Sequence, residues 1–221
     1  MLWGRDSAPF FDRDDTMNTL PHWWQTGAIY QIYPKSFQDT TGSGRGDLRG
    51  VTQRLDYLKI LGVDAIWLTP FYISPQVDNG YDVANYTAID PGYGTLDDFD
   101  EMVAQAHARG IRIVLDMVFN HTSTQHAWFR HAQDPASPYR EFYIWRDGSP
   151  VTPPNNWRSK FGGSAWRWHA ESGQYYLHLF APEQADLNWE SPQVRAELKK
   201  VCEFWADRGV DGLRLDVVNL I

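Results

Sequence analysis

Residues 209–216 have the sequence GVDGLRLD, in which a glycine precedes a short apolar run that ends at Arg214 and Asp216. Residues i and i+2 of a strand project from the same face, so both side chains should stand together at the carboxyl end of this strand. A guanidinium beside a carboxylate favours the ionised form of the carboxylate. An ionised Asp at that end of a parallel strand can act as a nucleophile or stabilise a cation. An Arg–Asp pair by itself is more often a structural ion pair. The upstream residues decide between a structural and a catalytic role.

Upstream of this run, short apolar segments alternate with helical patterns. Strands are predicted over residues 28–33, 65–68, 111–118 and 209–216. Helices are predicted over 48–61, from a capping box at Thr95 to a stop at Gly110, and from Ser191-Pro192 to a stop at Gly209. Continuous apolar strands separated by amphipathic helices predict an α/β fold, with a parallel sheet covered by helices.

The alternation stops between residues 121 and 186, a stretch rich in Pro, Gly and Trp. It is too long for an ordinary loop, so we expect a small inserted lobe after the third strand, at the carboxyl ends of the strands. Residues 20–120 and 187–221 would then form the sheet-containing domain. Residues 1–19 are polar and aperiodic, and we expect a disordered N-terminal extension or a start-site artefact ahead of Met17.

Composition limits the classes of function. The net charge of −8 argues against a nucleic-acid partner, which would require a basic surface. No apolar run approaches the roughly 18 residues of a membrane span, and the N-terminus lacks a signal-peptide pattern, so a cytoplasmic protein without a membrane partner is expected. The single cysteine, Cys202, permits no intrachain disulfide and is interpreted as a core residue. The aromatic content of 15% fits either a well-packed core or loops that stack on sugar rings.

Polar residues follow three successive predicted strands at their carboxyl ends. They are Asp78 and Tyr81 after the second, Asp116, Asn120 and His121 on and after the third, and Arg214 and Asp216 on the last. In parallel α/β folds the chemistry is located at this edge of the sheet. Several carboxylates beside a His and an Arg suit a reaction that develops positive charge, such as glycoside cleavage through an oxocarbenium-like transition state.

Three motifs carry a resemblance to a known family. The sequence DMVFNH at 116–121 matches the D-x-V-x-N-H signature of the α-amylase superfamily (glycoside hydrolase family 13), and GLRLD at 212–216 matches its G-x-R-x-D signature. QADLN at 184–188 resembles the Q-P-D-L-N element of the oligo-1,6-glucosidase group. The resemblance covers residues 20–221 and, within that group, is strongest to bacterial trehalose-6-phosphate hydrolases. It implies the N-terminal half of a (β/α)8 TIM barrel, with the inserted lobe after the third strand.

The resemblance implies catalytic roles for two residues. Asp216 stands where the family has the nucleophile of a retaining double displacement, and Arg214 stands where an Arg orients that carboxylate. The family's general acid Glu and its third carboxylate would follow the last residue of this sequence. Retaining hydrolysis needs an acid as well as a nucleophile, so we expect a truncated chain that does not turn over by itself, derived from an active parent.

The resemblance also implies a glucose site. His121 matches a residue that hydrogen-bonds the 6-hydroxyl, Tyr81 matches a stacking platform, and Asp78 matches a carboxylate that recognises the 4-hydroxyl. Asp116 and Asn120 match residues that organise the site from behind, and a purely structural role is the alternative for both.

Neither a metal nor a cofactor is expected. The group's first loop often binds Ca²⁺ through a D-x-N-x-D-x-I-x-D pattern. The corresponding positions here are Asp39, Thr41, Ser43, Arg45 and Asp47. Because hydroxyls replace two strong ligands and an Arg enters the loop, the affinity for a hard divalent cation should fall.

The expected partner is a small sugar substrate, with trehalose 6-phosphate favoured, and the oligomeric state is undetermined. An oligo-1,6-glucosidase or a glucosyl isomerase is the alternative, and Val217 resembles the α-1,6-acting members. A non-catalytic amylase-like partner domain is a remote third interpretation, because such proteins carry a membrane span and usually lose the nucleophile. Arg158, Lys160 and Arg167 are candidates for a phosphate site, although each also fits an ordinary surface residue.

Overall fold

The computed structural model describes residues 21–221, so the expectation for residues 1–19 lies outside the described part. In chain order the strands are β1 (Ile29–Ile32), β2 (Ala65–Leu68), β3 (Tyr72–Ile73), β4 (Asn85–Ile89), β5 (Arg112–Met117), β6 (His121–Ser123), β7 (Trp145–Asp147), β8 (Trp166–His169), β9 (Gln174–Leu177), β10 (Gln184–Asp186) and β11 (Gly212–Leu215). The α-helices are α1 (Trp23–Thr26), α2 (Pro34–Phe37), α3 (Leu48–Gln53), α4 (Leu55–Leu61), α5 (Leu96–Ala108), α6 (Ala127–Ala132) and α7 (Pro192–Ala206), with 3₁₀ turns at Arg140–Phe142 and Val218–Leu220.

A four-stranded parallel sheet in the order β1-β2-β5-β11 confirms the predicted α/β architecture. Its strands are the four apolar segments identified in the sequence, and side chains such as Ile66 and Leu115 are fully buried. In the β5–β11 pairing, Arg214 lies opposite Asp116. The register therefore brings the polar residues of the last two strands to the same edge of the sheet.

Local sequence signals account for the helix ends. At α5, Thr95 and Asp98 form the predicted capping box, in which each side chain accepts the other residue's backbone N–H. Pro192 occupies the first turn of α7, and Gly62 ends α4 in the left-handed conformation with a φ of 84°. Among residues 21–221, no helix has both the length and the apolarity needed to cross a bilayer.

The single helix predicted over residues 48–61 is wrong, because the structure has two helices there. Arg54 adopts φ −100° and ψ 3° and separates α3 from α4. Leu48, Val51, Leu55 and Leu58 are nevertheless fully buried, as the helical spacing requires. The break at Arg54 therefore leaves the apolar faces of both helices buried.

Between β5 and α7 the chain forms antiparallel structure. β6 pairs with β10, and β7, β9 and β8 form a three-stranded sheet. Buried Phe129 and Tyr143 belong to the same apolar cluster as the parallel sheet, whereas Trp166 and Tyr175 belong to a smaller, second cluster. The division into a lobe of residues 121–186 and a domain of residues 20–120 and 187–221 stays a prediction.

Candidate active site

Arg214 and Asp216 form an ion pair at the carboxyl edge of the parallel sheet. The Nη1 of Arg214 donates to Asp216 Oδ1 at 2.6 Å and to both carboxylate oxygens of Asp116 at 2.9 and 3.1 Å. The side chain of Asp216 keeps 14% of its surface exposed, whereas that of Asp116 keeps none. One guanidinium therefore joins an accessible carboxylate to a buried one.

Asp116 is held from several sides. Its Oδ2 accepts from the Tyr81 hydroxyl at 3.0 Å and from the Trp67 indole at 3.2 Å, and the Arg214 guanidinium lies over the Trp67 ring, 4.7 Å from its centre. Burial raises the pKa of Asp116 to about 6, although the ion pair with Arg214 and the bond from Tyr81 favour the charged form. Asp116 therefore binds Arg214 and Tyr81, and a contact between Asp116 and a substrate stays a prediction.

Asp78 lies near this group, in the loop between β3 and β4. Its Oδ2 accepts a hydrogen bond from the side-chain amide of Gln184 at 2.9 Å. Burial raises the pKa of Asp78, and the carboxylates of Asp82 and Asp216 act in the same direction, while the Gln184 bond opposes them.

His121 lies between Asn120 and the backbone of Tyr81. Asn120 Nδ2 lies 3.1 Å from His121 Nδ1, and His121 Nε2 lies 3.2 Å from the Tyr81 carbonyl. The side-chain amide nitrogen of Gln184 also lies 3.1 Å from His121 Nε2, so an amide donor faces each ring nitrogen, and Nε2 lies between that donor and the Tyr81 carbonyl acceptor. Burial lowers the pKa of His121 to about 4, so the ring is neutral at pH 7. A neutral ring in a fixed orientation suits hydrogen bonding to an uncharged hydroxyl.

Asn120 and Asp186 lie behind His121. Asn120 Nδ2 is 3.2 Å from Asp186 Oδ1, which also accepts from the Leu179 backbone N–H at 3.1 Å. Burial raises the pKa of Asp186 to about 7. Phe180, the residue after Leu179, packs against His121, with ring centres 5.2 Å apart. Asn120 therefore lies between His121 and Asp186, and the role predicted for it in the site stays a prediction.

The structure brings all seven residues predicted for the site to this edge of the sheet, and it adds others that the sequence analysis assigned no role. They are Trp67, Phe180, Gln184 and Asp186. Gln184 and Asp186 belong to the QADLN motif, which was the available signal for them. Trp67 is the aromatic residue of a strand, Ala65–Leu68, that is otherwise aliphatic.

The carboxylates of the first loop accept hydrogen bonds from the loop's own backbone. The Asp39 carboxylate accepts from the backbone N–H groups of Thr41, Gly42 and Gly44, and these bonds, that from Thr41 first, lower the pKa of Asp39. Asp47 accepts in the same way from Thr40 and Gly50. The carboxylate oxygens that a cation would need already serve the loop itself.

A side-chain cation also anchors that loop. The Arg45 guanidinium lies 4.0 Å from the centre of the Tyr93 ring and 3.5 Å from Asp90 Oδ1. Arg45 occupies a position at which the calcium-binding pattern uses only a backbone carbonyl. Within residues 21–221, no group of three or more acidic, His or Cys side chains is arranged to hold a metal ion.

The candidates for a phosphate site lie between β7 and β9 in the chain. Arg158, Lys160 and Arg167 are exposed, and they occur in or beside the segment that contains β8. Arg158 and Ser164 form an isolated bridge there. A phosphate role for these residues stays a prediction.

Two groups of known enzymes are similar to this chain in sequence. Trehalose-6-phosphate hydrolase of Escherichia coli is 87% identical over 205 residues, which cover 93% of this chain and 37% of the relative. Oligo-1,6-glucosidase of Heyndrickxia coagulans is 54% identical over 206 residues, covering 91% of this chain and 37% of the relative. The chain thus spans a little over a third of the length of these curated relatives.

Solved structures agree with the sequence relatives. Trehalose-6-phosphate hydrolase of Bacillus licheniformis superposes with a TM-score of 0.87 at 57% identity, over 89% of this chain and 36% of that one. Isomaltulose synthase of Klebsiella sp. LX3 gives a TM-score of 0.88 at 54% identity, over 90% of this chain and 36% of that one. Residues 31–221 match the family model of the α-amylase catalytic domain. On its motifs, its sheet and this match, the chain belongs to the α-amylase family.

Proposed function

We propose that the protein represented by this chain is a retaining α-glycosidase that cleaves the α,α-1,1 bond of trehalose 6-phosphate to give glucose and glucose 6-phosphate. The observation that carries the proposal is the Arg214–Asp216 ion pair, with a partly exposed carboxylate at the carboxyl edge of the sheet. The 87% identity to trehalose-6-phosphate hydrolase of E. coli supports the choice of substrate. A phosphorylated disaccharide does not cross membranes freely, so we place the reaction in the cytoplasm.

In the proposed reaction, one oxygen of Asp216 attacks the anomeric carbon. The bond between that carbon and the glycosidic oxygen breaks, and a general acid must supply a proton to the departing oxygen. Water then cleaves the glucosyl ester and restores Asp216. Arg214 binds Oδ1 of Asp216, which fixes the plane of the carboxylate and directs Oδ2 toward the sugar.

The sugar itself would be bound by Asp78, Tyr81 and His121. The Asp78 carboxylate and the neutral His121 ring would supply hydrogen-bonding groups for sugar hydroxyls, and the Tyr81 ring would supply an apolar face for the C–H bonds of the sugar. Asp116 is buried, and Arg214 and Tyr81 occupy its oxygens, so a role as the general acid is not consistent with its position.

An oligo-1,6-glucosidase or a glucosyl-transferring isomerase is the second candidate. The 54% identity to oligo-1,6-glucosidase of H. coagulans and the superposition on isomaltulose synthase favour it. All of these reactions would use the same nucleophile and the same glucose site. The difference would lie in the group that leaves or accepts the glucosyl unit.

The nucleophile can be tested on the 221-residue chain by covalent trapping. We use 5-fluoro-α-D-glucosyl fluoride, because fluoride leaves without protonation and the labelling therefore does not need a general acid. Mass spectrometry should locate one glucosyl ester at Asp216, and Asp216→Asn should abolish it. Labelling of another residue, or equal labelling of both proteins, would refute the assignment.

Competition distinguishes the two candidate functions. Trehalose 6-phosphate should protect Asp216 from labelling at lower concentration than isomaltose or sucrose if the first candidate is correct. Preferential protection by isomaltose would favour the oligo-1,6-glucosidase. Glucose 6-phosphate serves as the control for an effect of the phosphate alone.

A further inference from the structure

Asp82 lies four residues after Asp78 and has no role in the proposed reaction. It ends the segment formed by residues 74–82, here called the recognition loop, which connects β3 to β4 and carries Asp78 and Tyr81. The side chain of Asp82 is fully buried. A buried carboxylate must be compensated by partners, and its partners show what it stabilises.

All three hydrogen-bond donors to Asp82 belong to the recognition loop. Oδ1 accepts from the Ser74 hydroxyl at 2.9 Å and from the backbone N–H of Asp78 at 3.0 Å. Oδ2 accepts from the backbone N–H of Val77 at 2.9 Å. Ser74 Oγ in turn accepts from the Gln76 backbone N–H at 3.0 Å. The Asp82 carboxylate therefore binds groups on both sides of the turn that precedes Asp78.

The recognition loop needs such support because its backbone is strained. Gln76 and Asn79 have φ angles of 65° and 51°, in the left-handed region that non-glycine residues seldom occupy. Gly80 has φ 104°, and a Cβ at this position would lie 2.9 Å from the Pro70 carbonyl oxygen. Without the bonds to Asp82, a relaxed loop would carry the Asp78 carboxylate to a different position.

The residues before and after Asp82 contact β6, the strand that begins at His121. The residue after it, Val83, accepts a backbone bond from Ser123 of β6, and Tyr81, before it, contacts His121 Nε2 through its carbonyl. The field of Asp82 acts on both Asp78 and His121, where it favours the protonated form of each. Asp82 therefore connects the recognition loop to the strand that carries His121.

We infer that Asp82 is a positioning residue for sugar recognition, which sets the recognition loop so that Asp78 and Tyr81 meet the sugar beside Asp216. The inference rests on the proposed function, because it assumes that Asp78 recognises a glucosyl group. It assigns Asp82 no contact with the substrate. Its effect passes through three hydrogen bonds and through the charge that it places beside Asp78.

The test compares Asp82→Asn with Ser74→Ala in the 221-residue chain. Asn has nearly the volume of Asp, and its oxygen can keep the bonds from Ser74 and Asp78. Its NH₂ group would then face the Val77 N–H, so that bond is lost together with the charge. Ser74→Ala removes two loop bonds, that from Ser74 Oγ to Asp82 and that from the Gln76 N–H to Ser74 Oγ, and leaves the charge in place. Asp97→Asn, at an exposed position on α5, is the matched control.

Three measurements are made on each variant. Hydrogen exchange should speed up at Val77 by at least about tenfold in Asp82→Asn, as expected for one lost charge-assisted hydrogen bond. The pKa of Asp78, followed by carboxyl NMR, should fall in Asp82→Asn because one neighbouring negative charge is gone, and it should stay unchanged in Ser74→Ala. The affinity for methyl α-D-glucoside should fall about tenfold in Asp82→Asn and stay unchanged in Asp97→Asn.

The outcomes separate the inference from the proposed function. Unchanged exchange at Val77 and Asp78 in Asp82→Asn would overturn the inference, and so would faster exchange with unchanged sugar affinity. If the unaltered chain does not bind methyl α-D-glucoside, the glucose site of the proposed function fails in this chain. In that case exchange and the pKa of Asp78 decide whether Asp82 positions the loop.

Discussion

Substitution of Asp186 by Asn should stabilise the chain, and increasingly so as the pH rises. Asp186 is 97% buried, since only 3% of its surface is exposed. Both donors, the Leu179 N–H and Asn120 Nδ2, approach the same oxygen, Oδ1. The Asn oxygen can accept both bonds, so the substitution removes the buried charge while keeping the hydrogen bonds. Such a change isolates the free energy of ionising this carboxylate.

The magnitude follows from the pKa. Burial raises the pKa of Asp186 from 3.8 to about 7. A group whose folded pKa lies above its unfolded value contributes stability at low pH, and this contribution is lost as the pH rises through the folded pKa. At about 1.4 kcal/mol per pKa unit, the disadvantage of Asp186 relative to Asn is about 2 kcal/mol at pH 5 and about 4 kcal/mol at pH 8.

The assay is urea unfolding of both proteins at pH 5, 6, 7 and 8, followed by tryptophan fluorescence. The other titrating groups, including His121, are present in both proteins and cancel in the difference between their free energies of unfolding. This difference should grow by about 2–3 kcal/mol from pH 5 to pH 8 and level off above pH 7. The control is Asp97→Asn, which removes a carboxylate at an exposed position on α5. A flat difference for Asp186→Asn, or one that shrinks as the pH rises, would refute the reasoning.

Two further predictions concern the metal and the turnover. Calorimetric titration with Ca²⁺ should show no tight binding, because the carboxylates of Asp39 and Asp47 already accept bonds from the loop itself. The positive control is the triple variant Thr41→Asn, Ser43→Asp and Arg45→Ile, which restores the calcium-binding pattern. Submicromolar affinity of the unaltered chain would contradict the prediction. The 221-residue chain should cleave trehalose 6-phosphate only at the background rate, because Asp116 is engaged by Arg214 and Tyr81 and cannot protonate a leaving group; turnover of order 1–10³ per second would contradict it.

The parallel sheet and the Arg214–Asp216 pair were predictable from the sequence because their signals are local. Apolar runs identify buried parallel strands, and the spacing of two residues places both side chains on one face. The carboxyl-edge rule then relates Asp116 on one strand to Arg214 on the next. The observed register, with Arg214 opposite Asp116, confirms this relation.

Other features depend on contacts between distant segments. Gln184 reaches Asp78 across 106 residues of sequence, and no periodicity predicts that pairing. The break at Arg54 has a similar origin. Its guanidinium bonds the side chain of Gln38 from the preceding loop at 2.6 and 2.9 Å, and helical spacing alone does not include that contact. Val217, directly after Asp216, has φ 42°, a conformation that a β-branched residue rarely adopts.

The three carboxylates of the site differ in the groups that compensate their charges. A transition state with positive charge on the sugar is stabilised by nearby carboxylates, but each one placed there also repels its neighbours. Arg214 offsets this repulsion for Asp116 and Asp216, the two that it contacts. Asp78 has an amide partner, Gln184, instead of a cation, and burial and the charge of Asp216 both raise its pKa. In the proposed reaction, positive charge that develops on the sugar would be attracted by all three carboxylates, so a site with one guanidinium and three carboxylates would favour the transition state over the neutral ground state.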